Sequence, residues 1–242
     1  MALIANEVVT QKLIDIPFPS KTQTRDTLLV ISFAVFVSIA SQVSFTPPTW
    51  YTSFFSSIGI PINGTPVPIT LQTLAVGLTG GVLGSKLAVR SLLLYMLAGM
   101  AGLPVYAGSI KSILEGEASF GLTNGSIWGG SSIFSLPSGG YILGFIVAAF
   151  IIGKLAEKGW GTNLVRTTLL LLIGHLFIYI LGLPWLYLVL SEIPTLSMDL
   201  AKTLDFGLWP FIPGDIIKVV LTSLTLPSAW KLIQIQTKRN PS

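Results

Sequence analysis

Two opposite charges three residues apart, Asp215 and Lys218, stand inside an apolar segment that runs from Pro210 to about Ile233. An ionisable side chain within lipid costs about 2.5–3.5 kcal/mol on insertion scales, so one retained there marks a functional site with a nearby partner. Their spacing puts both on one face of a helix. Pro213 and Gly214, just ahead, suit a helix start, where unpaired N–H groups and the dipole favour an anion, and Lys218 adds a full positive charge. An anionic small ligand fits that end. Asp215, as an acceptor, suits an N–H-rich group of such a ligand. The alternative is a structural ion pair that locks this segment to its neighbours.

Other residues of chemical interest lack the company that chemistry requires. Gly80-Gly81-Val82-Leu83-Gly84-Ser85-Lys86 differs from a phosphate loop because Ser85 separates the last glycine from the lysine, so the chain is not expected to hydrolyse ATP. His175 falls in the middle of an apolar segment with no nucleophile motif beside it. It reads as a hydrogen-bonded packing residue rather than the base of an intramembrane hydrolase. Asp205-Phe206-Gly207 matches a kinase tripeptide without any kinase partner motif. With one histidine and no cysteine, disulfides, thiol ligands and a multi-histidine metal site are excluded, and no cofactor or catalytic group is expected.

The elements that must position the charged pair are membrane helices. The 242 residues are 51% hydrophobic and only 10% charged, against roughly 25% charged in an ordinary soluble domain. A net charge of +4 raises the question of nucleic acid, but the basic residues sit between apolar runs rather than on one tract, and no nucleic-acid partner is expected. Six spans are expected: Thr27 to Phe45, Thr70 to Gly84, a third ending near Leu103, Ser138 to Ile152, Thr167 to Leu190 with a break near Pro184, and Pro210 to Ile233. Residues 1–26 and 234–242 are then a terminal segment and a tail flanking a membrane domain of 27–233. Ser85, Lys86 and Arg90 mark a tight basic turn between spans two and three. Five prolines make Thr46 to Ile69 an extended connection, and Pro104 to Pro137 is a long loop rich in Gly and Ser. Gly77 with Gly81, and Gly140 with Gly144 and Ala148, form small-residue steps at which neighbouring helices can approach closely.

Basic residues orient the whole. If both termini share a side, that side holds eleven of the fourteen Lys and Arg residues, with Lys111 and Lys202 opposite and Lys218 within the sixth span. By the positive-inside rule both termini are cytoplasmic. The charged pair then sits at the outer end of span six, in an all-α, multi-pass protein of the plasma (inner) membrane.

Four stretches occur in the order and spacing of a known family: Val67-Pro68-Ile69-Thr70-Leu71-Gln72-Thr73-Leu74, Gly102-Leu103-Pro104-Val105, Pro137-Ser138-Gly139-Gly140-Tyr141 and Phe211-Ile212-Pro213-Gly214-Asp215-Ile216-Ile217-Lys218. From about Pro66 to Ile233 the chain resembles the BioY family, the biotin-binding S components of energy-coupling-factor (ECF) transporters. The resemblance implies six helices, a biotin pocket open to the outside, and delivery across the membrane with an ECF T component and ABC ATPases. A solitary carrier of biotin or another small carboxylate, with Asp215 as proton relay, is the alternative. The family's Asp and Lys fall on Asp215 and Lys218, and Tyr141 and Gln72 carry over as further binding positions. Some relatives place an arginine after Gly-Gly-Tyr, where this chain has Ile142, which leaves the loop's polar contact to Ser131 or Asn124. Ala34 and Ser38, four apart in the first span, are the small residues the resemblance offers for docking on the T component.

Overall fold

The computed structural model describes residues 12–15, 22–60, 64–117, 119 and 132–239, with side chains as far as 232 in the last helix. Helix α1 (Gln23–Gln42) is capped by the Thr22 side chain and leads through strand β1 (Ser44–Phe45) to a short helix α2 (Thr49–Ser57). Strand β2 (Ile69–Thr70) pairs antiparallel with β1 and feeds helix α3 (Gln72–Met100). Then come α4 (Ser109–Leu114), α5 (Gly139–Glu157), α6 (Leu164–Ser191), α7 (Leu200–Gly207) and α8 (Ile212–Arg239). Single 3-10 turns at Leu13–Asp15, Ile133–Ser135, Trp160–Thr162 and Pro194–Leu196 punctuate the connections. Four of the helices, α1, α3, α5 and α6, are long and apolar enough to cross a membrane.

Helix α3 is not one rod. Gly84 has φ +72° and ψ 174°, a conformation essentially confined to glycine, and the chain doubles back there. Gln72 Nε2 donates to Tyr95 Oη at 2.7 Å although the two are 23 residues apart in sequence; in a straight helix they would lie about 35 Å apart. Residues 72–83 and 85–100 are therefore two antiparallel arms joined by almost no loop, as the basic turn at Ser85 and Lys86 foretold. Turning so sharply orphans the first amides of the second arm. Glu157, at the end of α5, supplies the missing acceptor: its Oε1 takes hydrogen bonds from Ser85 N at 2.9 Å and Ser85 Oγ at 3.0 Å. That carboxylate is partly buried beside Lys154 at 3.6 Å and Lys12 at 4.0 Å.

Around this hairpin the helices close over a core whose fully buried members include Leu83, Leu92, Tyr95, Ile152, Leu170, Leu171, Leu186 and Leu226. The step on α5 does what its spacing suggested: a Cβ on Gly144 would stand 2.8 Å from the Ile178 Cα of α6, so the two backbones touch there. The step on the first arm of α3 faces side chains instead, Thr222 and Leu171 at Gly77 and Leu226 at Gly81. Outward, the long helices present large apolar side chains such as Leu28, Ile39, Leu172, Leu188 and Ile217, the reverse of a water-facing surface.

Three local expectations change. Thr49–Ser57 is helical, because the prolines of that connection lie outside it and Pro48, with φ −61° and ψ 145°, can only precede a helix start. Pro184 does not break α6, which runs unbroken to Ser191; the turn around it is held by Leu186, fully buried, and by Trp185 Nε1 donating to Leu136 O at 2.9 Å. The connection from Pro104 to Pro137 also carries the short helix α4 where only loop was expected, and α7 lies in the connection between α6 and α8.

Replacing Gly84 by alanine forces a side chain into a glycine-only backbone conformation, with its Cβ 2.6 Å from Glu157 Oε1. A loss of about 1–3 kcal/mol is expected, read as a lower thermal midpoint of the detergent-purified protein. An unchanged midpoint would show that the turn re-forms with ordinary backbone.

Candidate functional site

Helix α8 begins at Ile212, so Pro213 falls in the first turn, where its missing N–H is not needed, and Asp215 and Lys218 follow one turn apart. Both side chains are nearly inaccessible, 9% and 5% exposed, and Lys218 Nζ donates to Asp215 Oδ1 at 3.1 Å. The pair does not stand alone. Thr73 Oγ1, in the first turn of α3, donates to Oδ1 at 3.2 Å, and the Tyr179 hydroxyl of α6 donates to Oδ2 in a short hydrogen bond. His175, one turn before Tyr179, holds Nε2 3.7 Å from Oδ1 while its Nδ1–H donates to Leu171 O at 2.9 Å. Four side chains from three helices thus converge on one carboxylate.

This arrangement divides the pair's capacities. A carboxylate offers about four acceptor sites, and three donors already hold Asp215. An ammonium has three N–H donors, and Asp215 is the acceptor that Lys218 meets. Lys218 is accordingly the group with capacity to spare for an anion.

The pair borders a cavity that is also lined by Thr73, Tyr141, Tyr179 and Phe211. Its floor is aromatic. Tyr141 stacks on Phe211 with ring centroids 6.1 Å apart and meets Tyr179 edge-on at 6.2 Å. The Tyr141 hydroxyl donates to Gly207 O at 2.8 Å, which leaves its ring, rather than its oxygen, to the cavity. Gln72 borders the cavity from the other arm of the network: Oε1 accepts from Thr70 Oγ1 at 2.9 Å, and Nε2 holds Tyr95, which in turn packs edge-on against Tyr106. Ser138, at the N-cap of α5, adds a hydroxyl to the wall.

Of the residues singled out from sequence, the structure brings Asp215, Lys218, Tyr141 and Gln72 to one cavity. Ser131 and Asn124 lie outside the described residues. Ala34 and Ser38 are elsewhere, on α1: Ala34 is buried against the core, and Ser38, partly exposed, donates its hydroxyl to Ala34 O at 2.8 Å. Sequence reasoning missed Thr73, Tyr179, Ser138, Tyr95 and Tyr106, and it took His175 for packing alone. A signal existed for two of them. His175 and Tyr179 are four apart within an apolar span and so share a face, and the one titratable face of a span is where a buried carboxylate finds its partner.

Comparison with known proteins follows the same lines. The sequence model of the BioY family matches residues 49–235. The biotin transporter BioY of Lactococcus lactis subsp. cremoris is 33% identical over 171 residues, covering 68% of this chain and 76% of its own. That of Thermotoga maritima is 32% identical over 182 residues, covering 75% and 89%. The solved structure of the S-component for biotin from an ECF-type ABC transporter superposes with a TM-score of 0.62 at 26% identity, over 88% of this chain and 95% of that one.

A buried ion pair of this kind makes a testable thermodynamic signature. Lys218→Met strands the Asp215 carboxylate, and a loss of about 3–5 kcal/mol is expected. The double variant Asp215→Asn, Lys218→Met removes both charges and should recover part of that loss. Unfolding midpoints of the parent, the single variants Lys218→Met and Asp215→Asn, and the double variant decide it; a double variant as unstable as the sum of the singles would show that the two charges do not depend on each other.

Proposed function

The chain belongs to the BioY family, and from that membership and its cavity we infer that it is the S component of a biotin uptake system, binding biotin and carrying out no reaction on it. Biotin joins a carboxylate and a ureido group through an apolar body, and the cavity has a counterpart for each part. The observation that carries the reading is Lys218: a nearly inaccessible ammonium with spare donors at the border of an aromatic cavity. It meets the ligand carboxylate. Tyr141 and Phe211 flank the apolar rings, and Gln72 and Asp215 offer polar contacts beyond. Ser131 or Asn124 completes the site from the loop ahead of α5.

In the membrane the protein has six spans: α1, the two arms of α3, α5, α6 and α8. Both termini face the cytoplasm of a cell whose plasma membrane it crosses, with residues 27–233 as the membrane domain. The count is supported by the Gly84 hairpin, which turns one long helix into two antiparallel crossings. The orientation is supported by the excess of basic residues on the side of the termini. Transport requires two kinds of partner that this chain does not supply, a transmembrane T component and ABC ATPases. The T component docks along α1 at the Ala34 and Ser38 step, where Ser38 is the partly exposed member beside the outward-facing Val35 and Ile39.

Equilibrium binding of biotin to the detergent-purified chain tests the ligand. Tight binding is expected, weakened at least tenfold, about 1.4 kcal/mol, by Lys218→Ala and by Asp215→Asn. Variants that bind like the parent would leave the pair with a structural role only. The native chain contains no cysteine, so single cysteines report topology cleanly. A membrane-impermeant thiol reagent should reach a cysteine at Ser57 from outside the cell and one at Lys158 only after the membrane is opened; the opposite pattern would invert the orientation.

A further inference from the structure

His175 is the buried titratable group that ligand contact leaves unused. It does not border the biotin cavity. It borders a second, apolar groove between α6 and α8, with Thr168, Leu172, Ile216 and Val220, that shares Asp215 and Tyr179 with the cavity. Its tautomer follows from its neighbours. Leu171 O is an acceptor, so Nδ1 carries the hydrogen that bonds it at 2.9 Å. In the neutral ring Nε2 is then a bare lone pair. That atom is buried without a hydrogen-bond partner and lies 3.7 Å from Asp215 Oδ1. Two acceptors face each other across that gap. A proton on Nε2 converts the contact into a charge-assisted attraction.

The charges around the ring fix when that proton is wanted. From α8 come Asp215, negative, and Lys218, positive. Its own helix adds Tyr179, and α5 adds Tyr141, both hydroxyls donating to fixed oxygens. The hairpin contributes Thr73, Gln72 and Tyr95 to this end, while Lys86 and Arg90 lie within two turns of Gly84 at the other end. Glu157 and Lys154 of α5 are also at the Gly84 end. Asp199, which caps α7, and Lys202 and Asp205 within it border neither cavity. The empty site therefore sums to zero. A bound carboxylate brings it to minus one in a medium of low dielectric.

We propose that His175 takes up one proton from solution when an anionic ligand fills the cavity, so that ligand and site are neutral together within the bilayer. His175 is a positioning residue: protonated, it holds Asp215 from the second groove and leaves Lys218 to the carboxylate. This rests on the reading of the ligand as biotin only in that biotin is a carboxylate. The sign follows from linkage. The occupied site favours the protonated ring and the empty site does not, so affinity is greatest at low pH and falls as pH rises. A ligand carboxylate, with an ordinary value near 4, stays ionised throughout.

The experiment is isothermal titration calorimetry of biotin into the full chain between pH 6 and 8.5, in two buffers of different ionisation enthalpy, for the parent and for His175→Gln. Expected for the parent is a Kd that rises with pH by up to about tenfold per unit, with proton uptake approaching one per biotin. The variant should show a flat Kd and no uptake. Biotin binding by the parent with no pH dependence and no buffer dependence would overturn the proposal while leaving biotin as the ligand, and so would a pH dependence that survives in His175→Gln. The parent's proton count decides the matter even if the variant fails to fold. Absence of biotin binding at every pH would instead remove the ligand assignment and this inference with it.

Discussion

A carboxylate held inside a membrane bundle has to be satisfied by the protein, and Asp215 sets the terms for everything at its end of the molecule. Removing a charge from water costs several kcal/mol unless hydrogen bonds and a counter-charge replace the lost hydration. Lys218, Thr73 and Tyr179 supply these from α8, α3 and α6. Each of those donors must arrive at the same point, so each helix is fixed in depth and rotation to about the tolerance of a hydrogen bond. Apolar packing alone is more forgiving, since lipid tails compete equally for apolar side chains. The polar cluster therefore supplies a register that the apolar faces of these helices lack.

The turn at Gly84 is the second half of the same design. Because the arms of α3 are antiparallel, both ends of that helix return to one side of the bundle, and Gln72 meets Tyr95 beside the cavity that Asp215 borders. The closed end of the hairpin carries its own polar cluster, with Glu157 accepting from the orphaned amide and the hydroxyl of Ser85. Polar groups thus collect at two opposite ends of the arms and leave between them a contact of apolar residues and glycines with α5. Of the two clusters, the one at Glu157 includes the part-exposed Lys12 and Lys154. The one at Asp215 borders a cavity and holds a nearly inaccessible ammonium with unused donors.

Much of this was legible in the sequence, and the reason differs from part to part. The long apolar helices were readable because lipid demands long uncharged runs, and the hairpin because two basic residues follow a glycine in the middle of one. Asp215 and Lys218 were readable because charge in an apolar run is costly and therefore conspicuous. Tyr141 and Gln72 were reached through the resemblance of their motifs to a family. The companions of Asp215 were not readable in the same way: Thr73 and Tyr179 are ordinary residues for a membrane helix, and only the fold brings them from separate elements to one carboxylate. Pro184 misled for a related reason, since a proline signals a break in an isolated helix but not in one whose flanks are packed. Ser131 and Asn124 belong to residues outside those described, and the loop they sit in has no periodicity from which to read a position.

The saturation of Asp215 bears on how a ligand with two polar ends is shared out. Its oxygens already hold a lysine, a threonine and a tyrosine, and a ligand N–H that sought the same oxygens would have to displace a donor that also ties two helices together. Displacement of Lys218 is the least costly of these, because the ligand carboxylate compensates the lysine directly, whereas Thr73 and Tyr179 would be left facing apolar walls. On the proposed assignment of Lys218 to the ligand carboxylate, drawing the lysine toward the ligand frees an acceptor site on Asp215 for a ligand N–H. In the empty site the two groups pair with each other, Lys218 Nζ donating to Asp215 Oδ1 at 3.1 Å. The neutral pair is thus a resting form of the site, which keeps two charges stable in lipid until a ligand of the complementary pattern separates them.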